Sequence, residues 1–418
     1  MRRGATWAAA AVLTATATAR AAGDAPPWVD GGGRFADGAS ARVLKQDTPI
    51  SFAPNGSAPR RGSAAKDALL PVYATRVGPG CSGAWLMVGP LAWMCEDGVE
   101  PTSAAPIDAR RHTIADAADG LPFAYHFVGQ DGSLAYKRLV AADVGDPDMT
   151  LEPGFAVAIV GERVLDGARF GQTLHDLWVP MRDLGPVRPF AFRGAELAPD
   201  ASSVDVGWVF VDRARVFTKP SAASPSSETR ARFERVPVLE EQSGFYRIGD
   251  GLWMSSKEVR HFTMAPPPSE VDVGAGERWI DVELASQTLV AYEGARPVFA
   301  TIVSTGKGKQ GTPLATPKGV HRIWVKLLTS DMDNLEDENA ARYYRIENVP
   351  WVQYFSKGVG LHGAFWHRSF GQVRSHGCVN LSPLDAQRLF WFTGPHLPAG
   401  WTAVTPEAHE PGAVVRVR

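Results

Sequence analysis

Cysteine is nearly missing from this chain: its 418 residues hold three, Cys81, Cys95 and Cys378. Three thiols with no C-x-x-C pair, and no H-E-x-x-H, give no support to a zinc site. Charge imbalance is missing too. Lys and Arg total 43, Asp and Glu total 45, and the net charge is −2. That leaves no electrostatic footprint for nucleic acid or for an anionic membrane surface. Past the N-terminus, no run approaches the roughly twenty apolar residues a membrane helix needs. Glycine (42), proline (32) and tryptophan (13) are plentiful. They point to short strands joined by turns. Hydrophobic content of 44% and charged content of 21% fit a soluble globular chain, and the length suggests two to four domains.

Met1-Arg2-Arg3 precedes an Ala-rich apolar run from about Ala5 to Ala19, and Ala19-Arg20-Ala21 offers a small-x-small cleavage site. Residues 1–21 are expected to be a secretory signal peptide. No cysteine follows to carry a lipid, so no membrane anchor is expected. Residues 22–40 are expected to form a disordered leader. Cys81 and Cys95 bracket a hairpin-like stretch. An exported chain would join them in a disulfide, two buried free thiols being the alternative. Cys378 is then the odd thiol.

A pattern recurs along 41–264. Ala41-Arg42-Val43 and Ala214-Arg215-Val216 each open a unit, and Leu70-Pro71-Val72 and Val236-Pro237-Val238 follow. Trp93, Trp178 and Trp253 are followed six residues later by Val99, Leu184 and Val259. Short strands, a glycine turn and a closing Trp strand resemble bacterial SH3-like barrels. The resemblance covers 41–102 and 206–264 and extends more weakly to 103–205, where Gly120 to Leu139 reads as an extra hairpin around Gln130-Asp131-Gly132. It implies positioning or wall-binding units; the alternative is that the tryptophans only build small cores. A linker follows over 265–275, marked by Pro266, Pro267 and Pro268. A last domain over 276–406 shows alternating strands, and 407–418 reads as a tail. Residues 330–348, with Asp331, Asp333, Glu336, Asp337 and Glu338, read either as an acidic helical flap or as a solvated loop. They lack EF-hand spacing and its central Gly. Ser382-Pro383-Leu384-Asp385 starts a helix running to about Phe392.

The chemistry concentrates in 362–380. His362-Gly363 is followed by a twelve-residue spacer and then Ser375-His376-Gly377-Cys378-Val379-Asn380. A thiol becomes a good nucleophile when an imidazole takes its proton. Gly363 and Gly377 permit close backbone approach and positive φ, and N–H groups near Gly377 and Cys378 suit an oxyanion. These residues resemble the active-site signature of the L,D-transpeptidases, cysteine enzymes that remodel peptidoglycan. Gln287-Thr288-Leu289, Ser304-Thr305-Gly306 and Thr316-Pro317-Lys318-Gly319 extend the resemblance over about 277–405. By it, Cys378 is the nucleophile, His362 the general base, and the Gly363 carbonyl the group that orients the imidazole. Ser375, His376, Gly377, Asn380 and Tyr354 shape the site or bind substrate. His362 is expected nearer the sulfur than His376, within roughly 4 Å, and His367 is expected in a loop or at the rim of the site. No metal and no cofactor are implied.

The expected fold is mainly β: an L,D-transpeptidase-type β-sandwich catalytic domain preceded by two or three small SH3-like β-barrel modules. The implied reaction is acyl transfer from a peptidoglycan stem peptide, through Cys378, to an amine, in the periplasm or cell wall. Reaction with carbapenems is implied as well. Water as acceptor would make the enzyme a carboxypeptidase or hydrolase. A papain-like protease is disfavoured because His precedes Cys, and a non-catalytic wall-binding protein is disfavoured by the intact thiol motif.

Overall fold

The computed structural model describes residues 40–107, 118–188, 190–198, 205–334 and 344–418. The expected signal peptide, the leader up to residue 39, and Glu336, Asp337 and Glu338 lie outside the described residues. The chain is mainly β, and Pro383–Phe392 (α1) is the one α-helix among the described residues.

The first unit splits into two small sheets. Ser40–Val43 lies between Leu69–Pro71 and Val99–Thr102. Arg60–Ala64, Thr48–Ser51, Ala92–Cys95, Trp85–Gly89 and Ala74–Arg76 follow one another in the second. Alternate side chains face inward, so Ala41, Val43, Ile50, Leu86 and Met94 are fully buried. Residues 206–261 repeat the order strand for strand. Val206–Val209 lies between Arg235–Pro237 and Val259–His261. Ser226–Ala231, Arg213–Phe217, Leu252–Ser255, Phe245–Gly249 and Glu240–Gln242 make the second sheet. This corrects the sequence alignment of the units. Ala41–Val43 belongs to the first strand of its unit, whereas Ala214–Val216 belongs to the second strand of its own. The triplets look alike because both bury their first and third residues.

The middle unit follows the same plan with two short strands fused. Ala156–Leu165 pairs through its first half with Ala124–Val128 and through its second with Ala168–Thr173, bent by a bulge between Ile159 and Gly161. The expected hairpin at 130–132 is not one. Ala124–Val128 pairs with Leu184–Pro186, while Ser133–Ala135 pairs with Met149–Leu151, so the loop carries the chain between sheets. All three closing tryptophans are buried.

Cys81 and Cys95 form a disulfide, with Cα atoms 5.6 Å apart, beside Trp85, Met87 and Trp93. Closing a loop of this length restricts the unfolded chain by about 3 kcal/mol. The double variant Cys81→Ser/Cys95→Ser is expected to lose about that much in equilibrium denaturation. An unchanged midpoint would show that the packing alone holds the hairpin.

The last domain is built on two sheets. One has the order Ala195–Glu196, Arg296–Ile302, Thr288–Glu293, Arg278–Glu283, Val414–Val417, Gly319–Arg322. The stretch read as a tail therefore supplies an interior strand, parallel to Trp279–Val282 and antiparallel to Gly319–Arg322. Val414, Val415 and Val417 fill the core, while Arg416 and Arg418 pair with buried Asp281. The other sheet holds the long hairpin Val325–Asp333/Arg345–Ser356, then Val359–Gly363 and Val379–Leu381, with Trp401–Val404 on its far side. Residues 330–348 thus interrupt the strands less than expected, since pairing continues to Asp333 and resumes at Arg345. This sheet continues through Trp401–Val404 into Arg60–Ala64 of the first unit. Helix α1 packs behind it. Ser382 caps its N-terminus by accepting from the Asp385 N–H, with Pro383 in the first turn. At its C-terminus buried Lys326 donates to the carbonyls of Phe390 and Thr393, where a cation suits the helix dipole. Leu389 and Phe390 pack with Trp351, Leu361, Val379 and Leu381, so one core backs both strands that carry the motif.

Candidate active site

Val359–Gly363 and Val379–Leu381 run parallel, with His362 opposite Asn380. The chain leaves the first strand at Gly363 and returns through 364–378. Several side chains pin that loop. Ser304 Oγ lies 2.7 Å from the carbonyls of both Ser369 and Gln372. The Thr305 carbonyl accepts from the N–H groups of Arg374 and Ser375. Gln287 in turn clamps Thr305, accepting from its N–H at 2.8 Å and donating to its hydroxyl at 2.6 Å. Thr316 Oγ1 accepts from Gly306 N–H and donates to the Gly377 carbonyl at 2.6 Å. The upstream pieces of the sequence pattern are thereby tied to the thiol loop.

Around the thiol, Ser375 Oγ accepts from Gly377 N–H at 3.1 Å and donates to the Cys378 carbonyl. Its hydroxyl is consumed in shaping the turn. Gly377 has φ +131°, a region costly for any residue with a Cβ. Cys378 is the one free cysteine among the described residues. Its Sγ donates to the Gly358 carbonyl at 3.8 Å. Burial pushes the thiol pKa up, with an N–H from Gly360 opposing.

His362 is buried and stacked on Trp366, with ring centroids 5.7 Å apart. Its Nδ1 lies 3.2 Å from the Gly363 carbonyl. That contact places the proton on Nδ1 and leaves Nε2 as the basic nitrogen. Burial pushes the imidazole down to about 4, against the opposing effect of the Gly363 carbonyl. His362 and Cys378 line one cleft of about 1020 Å3, together with Tyr354, Ser375, His376 and Asn380. The sulfur's hydrogen bond runs to Gly358 rather than to the imidazole. Both shifts favour the uncharged forms, a thiol and a neutral imidazole.

His376 is exposed. Its Nε2 lies 3.0 Å from Lys307 Nζ, and its ring stacks on Tyr344 at 5.7 Å. Tyr354 sits on the adjoining strand with its hydroxyl 3.3 Å from Ser330 Oγ. The Asn380 amide is buried 2.8 Å from His367 Nε2. Ser369 N–H already occupies His367 Nδ1 at 3.1 Å. Nε2 then carries the proton; the Asn380 atom placed against it is Nδ2, with Oδ1 unpartnered, so the hydrogen bonding calls for the amide turned over, with Oδ1 accepting. His367 lies in the loop and at the cleft, as expected, but it is buried behind Asn380, and burial pushes its pKa to about 3, with Arg374 and His362 adding to the effect. Nothing in the local sequence distinguishes His367 from a loop histidine. Lys307, Tyr344 and Trp366 also line or brace the cleft without having stood out in the sequence. Among the described residues the one His/Cys/acid cluster tight enough for a metal is Cys81, Cys95 and Asp97, whose sulfurs are joined to each other.

Residues 277–405 match the family model of the L,D-transpeptidase catalytic domain, YkuD. No curated protein matches the chain. An Enterococcus faecium L,D-transpeptidase mutant is 22% identical, covers 34% of this chain and 50% of its own, and has a TM-score of 0.26. The NMR structure of the E. faecium catalytic domain is 23% identical over 34% of this chain and 98% of that one, at a TM-score of 0.26. Mycobacterium tuberculosis L,D-transpeptidase 3, in complex with a faropenem-derived adduct, is 17% identical over 34% and 60%, at 0.27. The chain spans half the length of the first of these. By the family match, the domain at 277–405 is a member of the L,D-transpeptidase catalytic-domain family.

Proposed function

We propose that this chain is an exported peptidoglycan L,D-transpeptidase working through an acyl-enzyme on Cys378. One observation carries the reading: His362, with Nδ1 tied to Gly363 and Nε2 left basic, shares a cleft with the free thiol inside the family-matched domain. As Sγ attacks the amide carbonyl on the L-side of a stem-peptide L,D-bond, its proton passes to His362 Nε2. The tetrahedral intermediate collapses to a thioester while the imidazolium returns that proton to the departing D-amino acid nitrogen. The side-chain amine of a second stem peptide then attacks the thioester, losing a proton to Nε2. The thiolate leaves and takes the proton back. Gly377 N–H is already engaged by Ser375, so the Cys378 N–H is assigned to the oxyanion.

Export is supported by the Cys81–Cys95 disulfide, which suits an oxidising compartment, and by the reading of residues 1–21 as a signal peptide. No helix among the described residues is long and apolar enough to cross a membrane. The strand order shared by the three N-terminal units favours SH3-like modules. Incubation with a defined tetrapeptide muropeptide is expected to release the terminal D-amino acid and yield cross-linked dimers, read by mass spectrometry. Tripeptide without dimer would make the enzyme a carboxypeptidase, and no product would remove the reading.

A further inference from the structure

The catalytic cleft has a flank that the matched domain does not supply. Phe127 and the turn at Pro153 and Gly154, all from the middle unit, line it together with His362, Trp366 and Cys378. We infer that the middle unit, 118–187, is part of the peptide-binding site, and that the bound donor stem peptide lies between Phe127–Pro153 and the thiol loop. The inference rests on the reading above for the identity of the peptide.

The flank is built to stay in place. Tyr125, Ala156 and Ala158 of the middle unit share one dry core with Ile346, Val349, Val352 and Phe365 of the last domain. Parting the two would expose that core to water. The strands join in parallel at Ala156 and Ile346. Tyr125 Oη donates to the Asn348 carbonyl, and Trp351 Nε1 donates to the Gly120 carbonyl, each at 2.5 Å. His175 pairs at 2.9 Å with Asp331, which itself lines the cleft. Rings run continuously from the flank to the imidazole: Phe127 to Phe365 at 6.3 Å, Phe365 to Trp366 at 5.2 Å, Trp366 to His362 at 5.7 Å. The turn is stiff for a local reason. Phe155 N–H returns to the Glu152 carbonyl at 3.1 Å, and Gly154 has φ +82°. Proline followed by a positive-φ glycine is the type II arrangement.

The two flanks differ in chemistry. The middle unit offers the Phe127 ring and the exposed Pro153 ring. The catalytic side offers the cations Lys307 and Arg374, and also the carboxylates Asp333 and Asp331, the latter already paired with His175. A short peptide carrying carboxylates fits that pairing, with its apolar edge on Phe127 and Pro153 and its carboxylates toward the cations.

The test uses the full-length chain and a tetrapeptide muropeptide carrying a benzophenone. After irradiation with Cys378→Ala, which holds the peptide unreacted, cross-links are expected on residues 123–128 and 150–156. Cross-links confined to 277–405 would overturn the inference. Wild-type acylation is measured in parallel. Acylation without middle-unit cross-links sinks this inference alone; cross-links without acylation sink the transpeptidase reading alone; neither signal sinks both. Phe127→Ala removes a contact and Pro153→Trp narrows the cleft. Each is expected to raise KM about fivefold to tenfold, with kcat and the alkylation of Cys378 by iodoacetamide within about twofold. An unchanged KM in both variants, or an equal fall in alkylation, would contradict a peptide-binding role.

Discussion

Cys378→Ala is expected to lower release of the terminal D-amino acid from a tetrapeptide by about four orders of magnitude or more, and to abolish the covalent adduct with a carbapenem. The size follows from removing the atom that forms the acyl bond: no neighbouring group replaces it, since Cys81 and Cys95 are joined to each other. The fold is expected to survive. The loop is held by Ser304, Thr305 and Thr316 through backbone carbonyls and N–H groups, and the sulfur adds a long contact to the Gly358 carbonyl and one from the Gly360 N–H. The melting temperature should therefore move little while activity vanishes. An adduct that persists in the variant would remove Cys378 from the mechanism.

His362→Ala is expected to cost between about 100-fold and 10,000-fold in kcat/KM, the usual worth of a positioned general base. His376→Ala should cost less, because that ring is exposed between Lys307 and Tyr344. The pH dependence separates the two. Burial holds the His362 imidazole at about 4, so the base is free throughout the neutral range. The wild-type rate should fall only as pH drops through about 4, not at the 6–7 of an ordinary histidine. In His362→Ala that acid limb disappears. The residual rate should instead climb with alkaline pH, as a thiol raised by burial finally ionises. Folding must be followed alongside. An imidazole with a lowered folded pKa stabilises the protein fully above about 6.5, and this contribution is lost as pH falls through about 4. Buried Asp385, raised to about 6, acts in the opposite direction over most of that window. Identical pH–rate profiles for His362→Ala and wild type would transfer the role of base to another group.

What could be read in the sequence was local. Residues 362–380 stood out because fixed residues at fixed spacing answer one chemical need, and Ser382-Pro383 marked the start of α1 because capping is decided within one turn. Cys81 and Cys95 were legible as a pair across a hairpin. What was hidden depends on partners distant in the chain. Val414–Val417 has the alternation of a strand, but nothing local says that it pairs with Trp279–Val282. Ala41 and Ala214 carry the same small-x-valine pattern on different strands of their units, because period two reports a buried face and not a place in a sheet. His367 looked like a loop histidine, since its partners Asn380 and Ser369 meet it only when the loop closes. The flank made by Phe127 and Pro153 depends on a core shared between units, which no single stretch of sequence encodes.

The most direct measurement is peptide mapping of the full-length chain quenched seconds after mixing with a defined tetrapeptide muropeptide. The account predicts a hydroxylamine-labile adduct whose added mass is that of the donor less the free terminal D-amino acid, on the peptide containing Cys378 and nowhere else. Product formation with no adduct at any cysteine, or an adduct on another residue, would contradict it.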